Sequence, residues 1–166
     1  MTTASPRSQL AALACDELAT YFEHLAGRVE SSVRSIQAES LWTKPFTFGN
    51  SIGHLVLHLT GNLNHYIGAG VAGSGYVRDR DKEFTDASRP SADELLTRFR
   101  EAVAMVVRTI SSQGEEGLTT PVEHQAPIRS RLGLFLVCAS HMNNHIGQMS
   151  YLVQALKPGT ETEPMW

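Results

Sequence analysis

The sequence predicts an all-α protein, a four-helix bundle with a long crossover between helices two and three. Three observations carry this. Four segments place apolar residues every three to four positions, the spacing of one helix face. The links between them are rich in Gly, Pro and other turn formers. The chain, 166 residues with 42% apolar and 19% charged content, is large enough to bury a core as a single domain and too apolar for disorder. Helices of about 20 to 30 residues with apolar stripes bury those stripes by packing on one another.

The first helix spans about 8–37, with Leu10, Leu13, Leu18, Phe22, Leu25, Val29, Val33 and Ile36 as its stripe. A turn-rich link, LWTKPFTFGN (41–50), leads to the second, about 51–71, capped by Asn50 or Ser51 and striped by Ile52, Leu55, Val56, Leu59, Leu63 and Ile67. The link 72–90 contains Gly73, Gly75 and Pro90 and is long enough to cross the bundle, so simple up-down-up-down order does not follow. The third helix spans about 91–112. It opens on SADE, in which Ser91 and Glu94 can satisfy each other's free backbone donors. The link 113–130 carries Gly114, Gly117, Pro121 and Pro127, with room for short extended pieces. The fourth helix spans about 131–157 and stops at Lys157-Pro158-Gly159.

Charge excludes some functions. The formal net charge is -3, and the densest charged stretch, VRDRDKEF (77–84), is mixed in sign. No basic stripe is present to attract a phosphate backbone, so nucleic-acid binding is not expected. No apolar run approaches the ~18 residues of a membrane span. The N-terminal stretch lacks the basic start and long apolar run of a signal peptide, which makes the cytoplasm the expected location. Cys15 and Cys138 are far apart and form no metal-ligand spacing.

The histidines are the chemically informative residues. His141 and His145 form HxxxH in helix four, and His54 and His58 form another in helix two. Residues four apart differ by only ~40° around a helix and ~6 Å along it, so two such imidazoles can converge on one ion. A further ligand must come from another helix, because adjacent turns of one helix cannot surround a metal. Facing helices of a bundle are a known setting for such sites. His65 lies about 10 Å along the axis from His58 by helical rise, too far for the same ion.

Three stretches carry a resemblance to a known family: SIGHLVLHLTGN (51–62), GVAGSGYVRDRDKEF (70–84) and HMNNHIGQMSYL (141–152). With the spacing between them, the chain resembles the DinB-like (YfiT-like) superfamily of four-helix metal proteins. That family places one metal-binding histidine on helix two and two on helix four. Carried over by motif, the resemblance implies His58, His141 and His145 as ligands. His54 departs from the family pattern, and a supporting or outward-facing position is expected for it rather than ligation.

Three neutral imidazoles leave a divalent ion with open positions, the pattern of catalytic rather than structural sites. Zinc suits such ligands, and so do nickel, iron and copper. No acid lies within the two histidine motifs, which disfavours the two-histidine, one-carboxylate iron site. Asn62, Asn144 and Gln148 are candidates to hold a ligand's far ring nitrogen. Gly147 costs helix propensity, about 1 kcal/mol against alanine, which a close helix approach would explain. Cys138, one turn before His141, is expected to be a small buried hydrophobe more than a guard of the metal. Trp42, Phe46 and Phe48 either pack the bundle end or roof a pocket, and Arg78 and Arg80 either form a solvated loop or receive an anionic substrate.

Related proteins include transferases and isomerases that use low-molecular-weight thiols such as bacillithiol or mycothiol. The resemblance therefore implies a metal-dependent enzyme, zinc or nickel being the expected ion, that activates a thiol against a small-molecule electrophile. Hydrolysis on the same site and a non-enzymatic, metal-binding or stress-related role are the alternatives. A homodimer is expected, both because long amphipathic helices leave apolar strips and because related proteins commonly dimerise.

Overall fold

A computed structural model of the chain describes residues 9–85, 87–123 and 127–157. Four long helices form the frame: α1 (Gln9–Arg34), α2 (Ile52–Leu63), α4 (Ala92–Ser111) and α6 (Arg131–Leu156). Two short helices, α3 (Lys82–Thr85) and α5 (Glu115–Thr119), sit in the two long links. No β-strand occurs among the described residues. The extended pieces expected in the second long link reduce to one isolated bridge between Pro121 and Ser130. Pro158 and Gly159, expected to end the fourth helix, lie outside the described residues.

The stripes read from the sequence supply most of the core, except that Leu10 and Leu13 at the start of α1 are 76% and 56% exposed and Ile36 just beyond its end is only partly buried. Phe22, Leu25 and Val29 of α1, Leu55, Leu59 and Leu63 of α2, Leu95, Phe99 and Val106 of α4, and Phe135, Met142 and Met149 of α6 are all buried. Each such side chain is worth roughly 1.5–3 kcal/mol when fully removed from water, which is what holds the four helices together. α1 packs mainly on α4 and α6, and α2 packs on the same two helices, while α1 and α2 touch little. Of the helices joined by a link, α1 and α2 are therefore not close neighbours, whereas α2 and α4, joined by the crossover, are. No described helix is long and apolar enough to cross a membrane.

Capping sets the helix starts. Ser91 opens α4 with the reciprocal capping box, its Oγ accepting from the Glu94 N–H and the Glu94 carboxylate accepting from the Ser91 N–H. Ser51 caps α2 by accepting from the His54 N–H at 3.3 Å, and Ser130 caps α6 by accepting from the Gly133 N–H at 3.2 Å.

The second helix departs from its sequence reading, which ran it unbroken to about 71. At Leu63 the α-helix gives way to one π-helical stretch, Asn64–Ala69. The widened turn lets the chain leave α2 sharply, and the Ser74 N–H donates back to the Gly68 carbonyl at 3.0 Å. A Cβ on Gly68 would lie only 3.2 Å from Ser74 Oγ, so the small residue permits that close return. The crossover is thus fastened to the end of α2 and runs back along it.

Candidate metal centre

His58 and Gly61 lie three residues apart on one face of α2, and the crossover seals that face. A Cβ on Gly61 would fall 2.1 Å from Glu83 Oε1. The glycine is a notch into which the Glu83 carboxylate fits, a reason for glycine in mid-helix that outweighs its propensity cost. The expected close approach at Gly147 is not found: a Cβ there would meet nothing within 4 Å. Close packing falls instead at Gly61, and at Gly53, where a Cβ would press on the Trp42 ring at 2.8 Å.

From its notch Glu83 holds two partners. Its Oε2 accepts from His58 Nδ1 at 2.8 Å, and Arg78 clamps both carboxylate oxygens, Nε to Oε1 at 2.6 Å and Nη2 to Oε2 at 2.9 Å. Glu83 is buried, and the Arg78 side chain is only 11% exposed, so the pair neutralises itself away from water. An ionised carboxylate has no proton to give. His58 must therefore carry its hydrogen on Nδ1 and present the Nε2 lone pair.

The same logic fixes His145. Its Nδ1 donates to Gln148 Oε1 at 2.8 Å, a local i,i+3 contact on α6, which frees its Nε2. That Nε2 is buried and has no hydrogen-bond partner. His141 completes the group, its Nε2 lying 3.0 Å from His58 Nε2. The ring centroids of the three imidazoles are 4.5–5.1 Å apart. One ligand atom from each of His58, His141 and His145 lies within 4.8 Å of the other two, a group able to hold a metal ion. The unpartnered Nε2 of His145 is the observation that fits an ion here: a buried acceptor left empty costs roughly 1–3 kcal/mol, and a cation shared with the other two rings would satisfy it.

Burial holds all three rings below the ordinary histidine range. The His141 pKa is pushed down to about 4 by burial, reinforced by the neighbouring His145 and His58. Burial lowers His58 despite the opposing Glu83 hydrogen bond, and lowers His145 despite Gln148. The imidazoles are neutral at pH 7 and their lone pairs are available. A consequence can be measured in the metal-free protein. Below the unfolded value of 6.5 the unfolded chain takes up a proton that folded His141 refuses until about pH 4. Stability is then complete above about pH 6.5, falls as the pH drops through that window, and levels off near pH 4. His141, His58 and His145 all act in this direction. Urea unfolding of chelator-treated protein between pH 4 and 7 measures this, and a flat profile would contradict it.

The other candidates divide. His54 is buried rather than outward-facing, its Nδ1 2.7 Å from Ser51 Oγ and its ring edge-on to Trp42, so it takes no part in the triad. His65 is exposed beside Tyr66 in the π turn. Asn62 is buried but forms no hydrogen bond to the three rings, and Glu83 fills the place proposed for it. Asn144 borders the site without bonding to them. Cys138 lies in the core, where burial pushes its thiol up to about 12, so it supplies no thiolate. Trp42 packs at the bundle end, its Nε1 donating to the Pro90 carbonyl at 3.3 Å, whereas Phe46 and Phe48 wall the cavity above the histidines. Arg78 is tied to Glu83, leaving Arg80 as the arginine of this loop at the cavity. That cavity holds about 580 Å³, the size of small-molecule sites, and all three histidines line it.

Glu83 is the residue that sequence reasoning missed. It lies 25 positions from His58 in a charge-mixed stretch, and no periodicity marks it. The one available signal was the membership of 70–84 in the resemblance.

The DinB superfamily model matches residues 6–149. The crystal structure of a DinB-like protein from Bacillus cereus ATCC 10987 superimposes with a TM-score of 0.69 at 16% identity, covering 91% of this chain and 97% of that one. At that identity the likeness shows the shared fold. No curated protein matches the sequence.

Proposed function

The chain belongs to the DinB superfamily, and from that premise we propose a metal-dependent enzyme of the thiol-transferase type, its zinc or nickel ion held by His58, His141 and His145. The observation that carries the reading is the convergence of the three rings, with His145 Nε2 buried and unpartnered beneath an open cavity. When bound, a divalent ion supplies Lewis-acid chemistry, favouring the deprotonated form of a thiol or of water near neutral pH.

The chain's own residues prepare the site for that chemistry. Glu83 and Gln148 fix the tautomers of His58 and His145 so that each offers Nε2. Arg78 neutralises Glu83, which keeps the carboxylate bonded to the back of His58 rather than free to enter the site. Three neutral protein ligands leave an ion its full charge, which favours an anionic nucleophile. The Phe84 ring, 5.1 Å from His58, lines the same cavity and excludes water from one side.

The test is thiol consumption by zinc- or nickel-loaded protein against a panel of electrophiles, with a thiol titration followed in the metal-centred spectrum of the nickel form. Thiol loss that depends on metal, with a spectral change on adding thiol, is the expected result. If neither occurs and esters are hydrolysed instead, the site is a hydrolase. If neither chemistry occurs and chelation collapses the helical signal, the ion is structural.

A further inference from the structure

The cavity above the histidines has an unusual rim. Phe48 and Tyr151 are 76% and 75% exposed and Phe46 is 44% exposed, yet all three face the same opening. Phe46 and Phe48 stack on each other, centroids 5.6 Å apart and 13° from parallel, and so present a flat aromatic wall. Exposed aromatic surface gathered around a cavity marks a binding site for an apolar body. Chemistry of one sign is added to this wall. Among the described residues no Asp or Glu lines the cavity, while Arg80 does. The Arg80 guanidinium lies over the Phe84 ring at 5.6 Å and forms no ion pair among the described residues. It contrasts with Arg78, two residues earlier, which Glu83 has fully engaged.

We propose that this cavity selects a small molecule with a flat apolar body and a carboxylate, the body lying against Phe46, Phe48 and Tyr151 and the carboxylate on Arg80. The fork of a guanidinium matches a carboxylate, and stacking on Phe84 restrains it beforehand. The inference rests on the metal-enzyme reading only for its orientation: with the carboxylate at Arg80, the rest of the molecule is turned toward the histidines.

The test is calorimetric titration of 2-naphthoate, neutral 2-naphthamide and acetate into wild type, Arg80→Gln and Phe48→Ala, each zinc-loaded and chelator-treated. Both side chains are exposed, so neither substitution threatens the fold. Wild type is expected to bind naphthoate about fivefold more tightly than naphthamide in both forms, the size of an exposed charge pair. Arg80→Gln should erase that ratio and leave naphthamide unchanged, while Phe48→Ala should weaken both aromatic ligands severalfold. Acetate should bind far more weakly than naphthoate. Equal affinity for naphthoate and naphthamide in wild type overturns the proposal. A preference that survives Arg80→Gln and requires zinc places the carboxylate at the histidines and overturns the assignment to Arg80. Failure of the metal reading is separately visible, as a wild type that retains no zinc and yet keeps the Arg80-dependent preference.

Discussion

Alanine at His58, His141 or His145 is expected to empty the metal site. Wild type purified from metal-replete cells should hold about one ion per chain, and each single variant close to none after dialysis. Removing a group that only supports a ligand weakens metal binding about 10- to 100-fold, and removing the ligand itself should exceed that. Elemental analysis with circular dichroism on the same samples separates lost ligation from lost folding. His65→Ala, at an exposed position outside the triad, should keep its metal and its helical signal. His54→Ala should also keep its metal while melting earlier, because it vacates a buried position against Trp42. Metal retained in the three triad variants would refute the site.

The second large effect belongs to Glu83. Glu83→Ala strands the Arg78 guanidinium in a place with little water and takes away the acceptor for His58 Nδ1. Breaking one side of a buried ion pair costs roughly 3–5 kcal/mol. Denaturant unfolding should show a loss of that order, and zinc affinity should fall about 10- to 100-fold as His58 loses its fixed tautomer. Gly61→Ala tests the same geometry from the opposite side, since its Cβ would displace the carboxylate. It should lower zinc affinity in the same direction with every charged group still present. Should Glu83→Ala unfold no more easily than wild type, the buried pair is not what anchors the crossover.

Both experiments probe different ranges of legibility in the sequence. The hold on His145 is local, since Gln148 lies one turn further on the same helix, and the spacing in HMNNHIGQ (141–148) makes such a pair readable. The hold on His58 comes from a residue 25 positions away, delivered by a crossover whose path depends on the π turn at Asn64–Ala69. Hydrophobic periodicity describes one element at a time and says nothing about where a polar loop returns. The same blindness applied to the two histidines of α2. His54 and His58 share a face by spacing, yet Ser51 and Trp42 take His54 and only His58 reaches α6.

By itself the sequence determined the four long helices, their apolar stripes, the capping box at Ser91 and the two histidine pairs, because each depends on neighbours within a turn or two of the same helix. Only the tertiary structure decided which imidazoles meet, which carboxylate supports them, and that Arg80 rather than Arg78 stands at the cavity. Those outcomes turn on how α2 and α6 are rotated against each other and on where the crossover lands. Such rotations are fixed by the packing of buried surfaces drawn from the whole chain, and a shift of ångströms is enough to separate three ligand atoms beyond the reach of one ion.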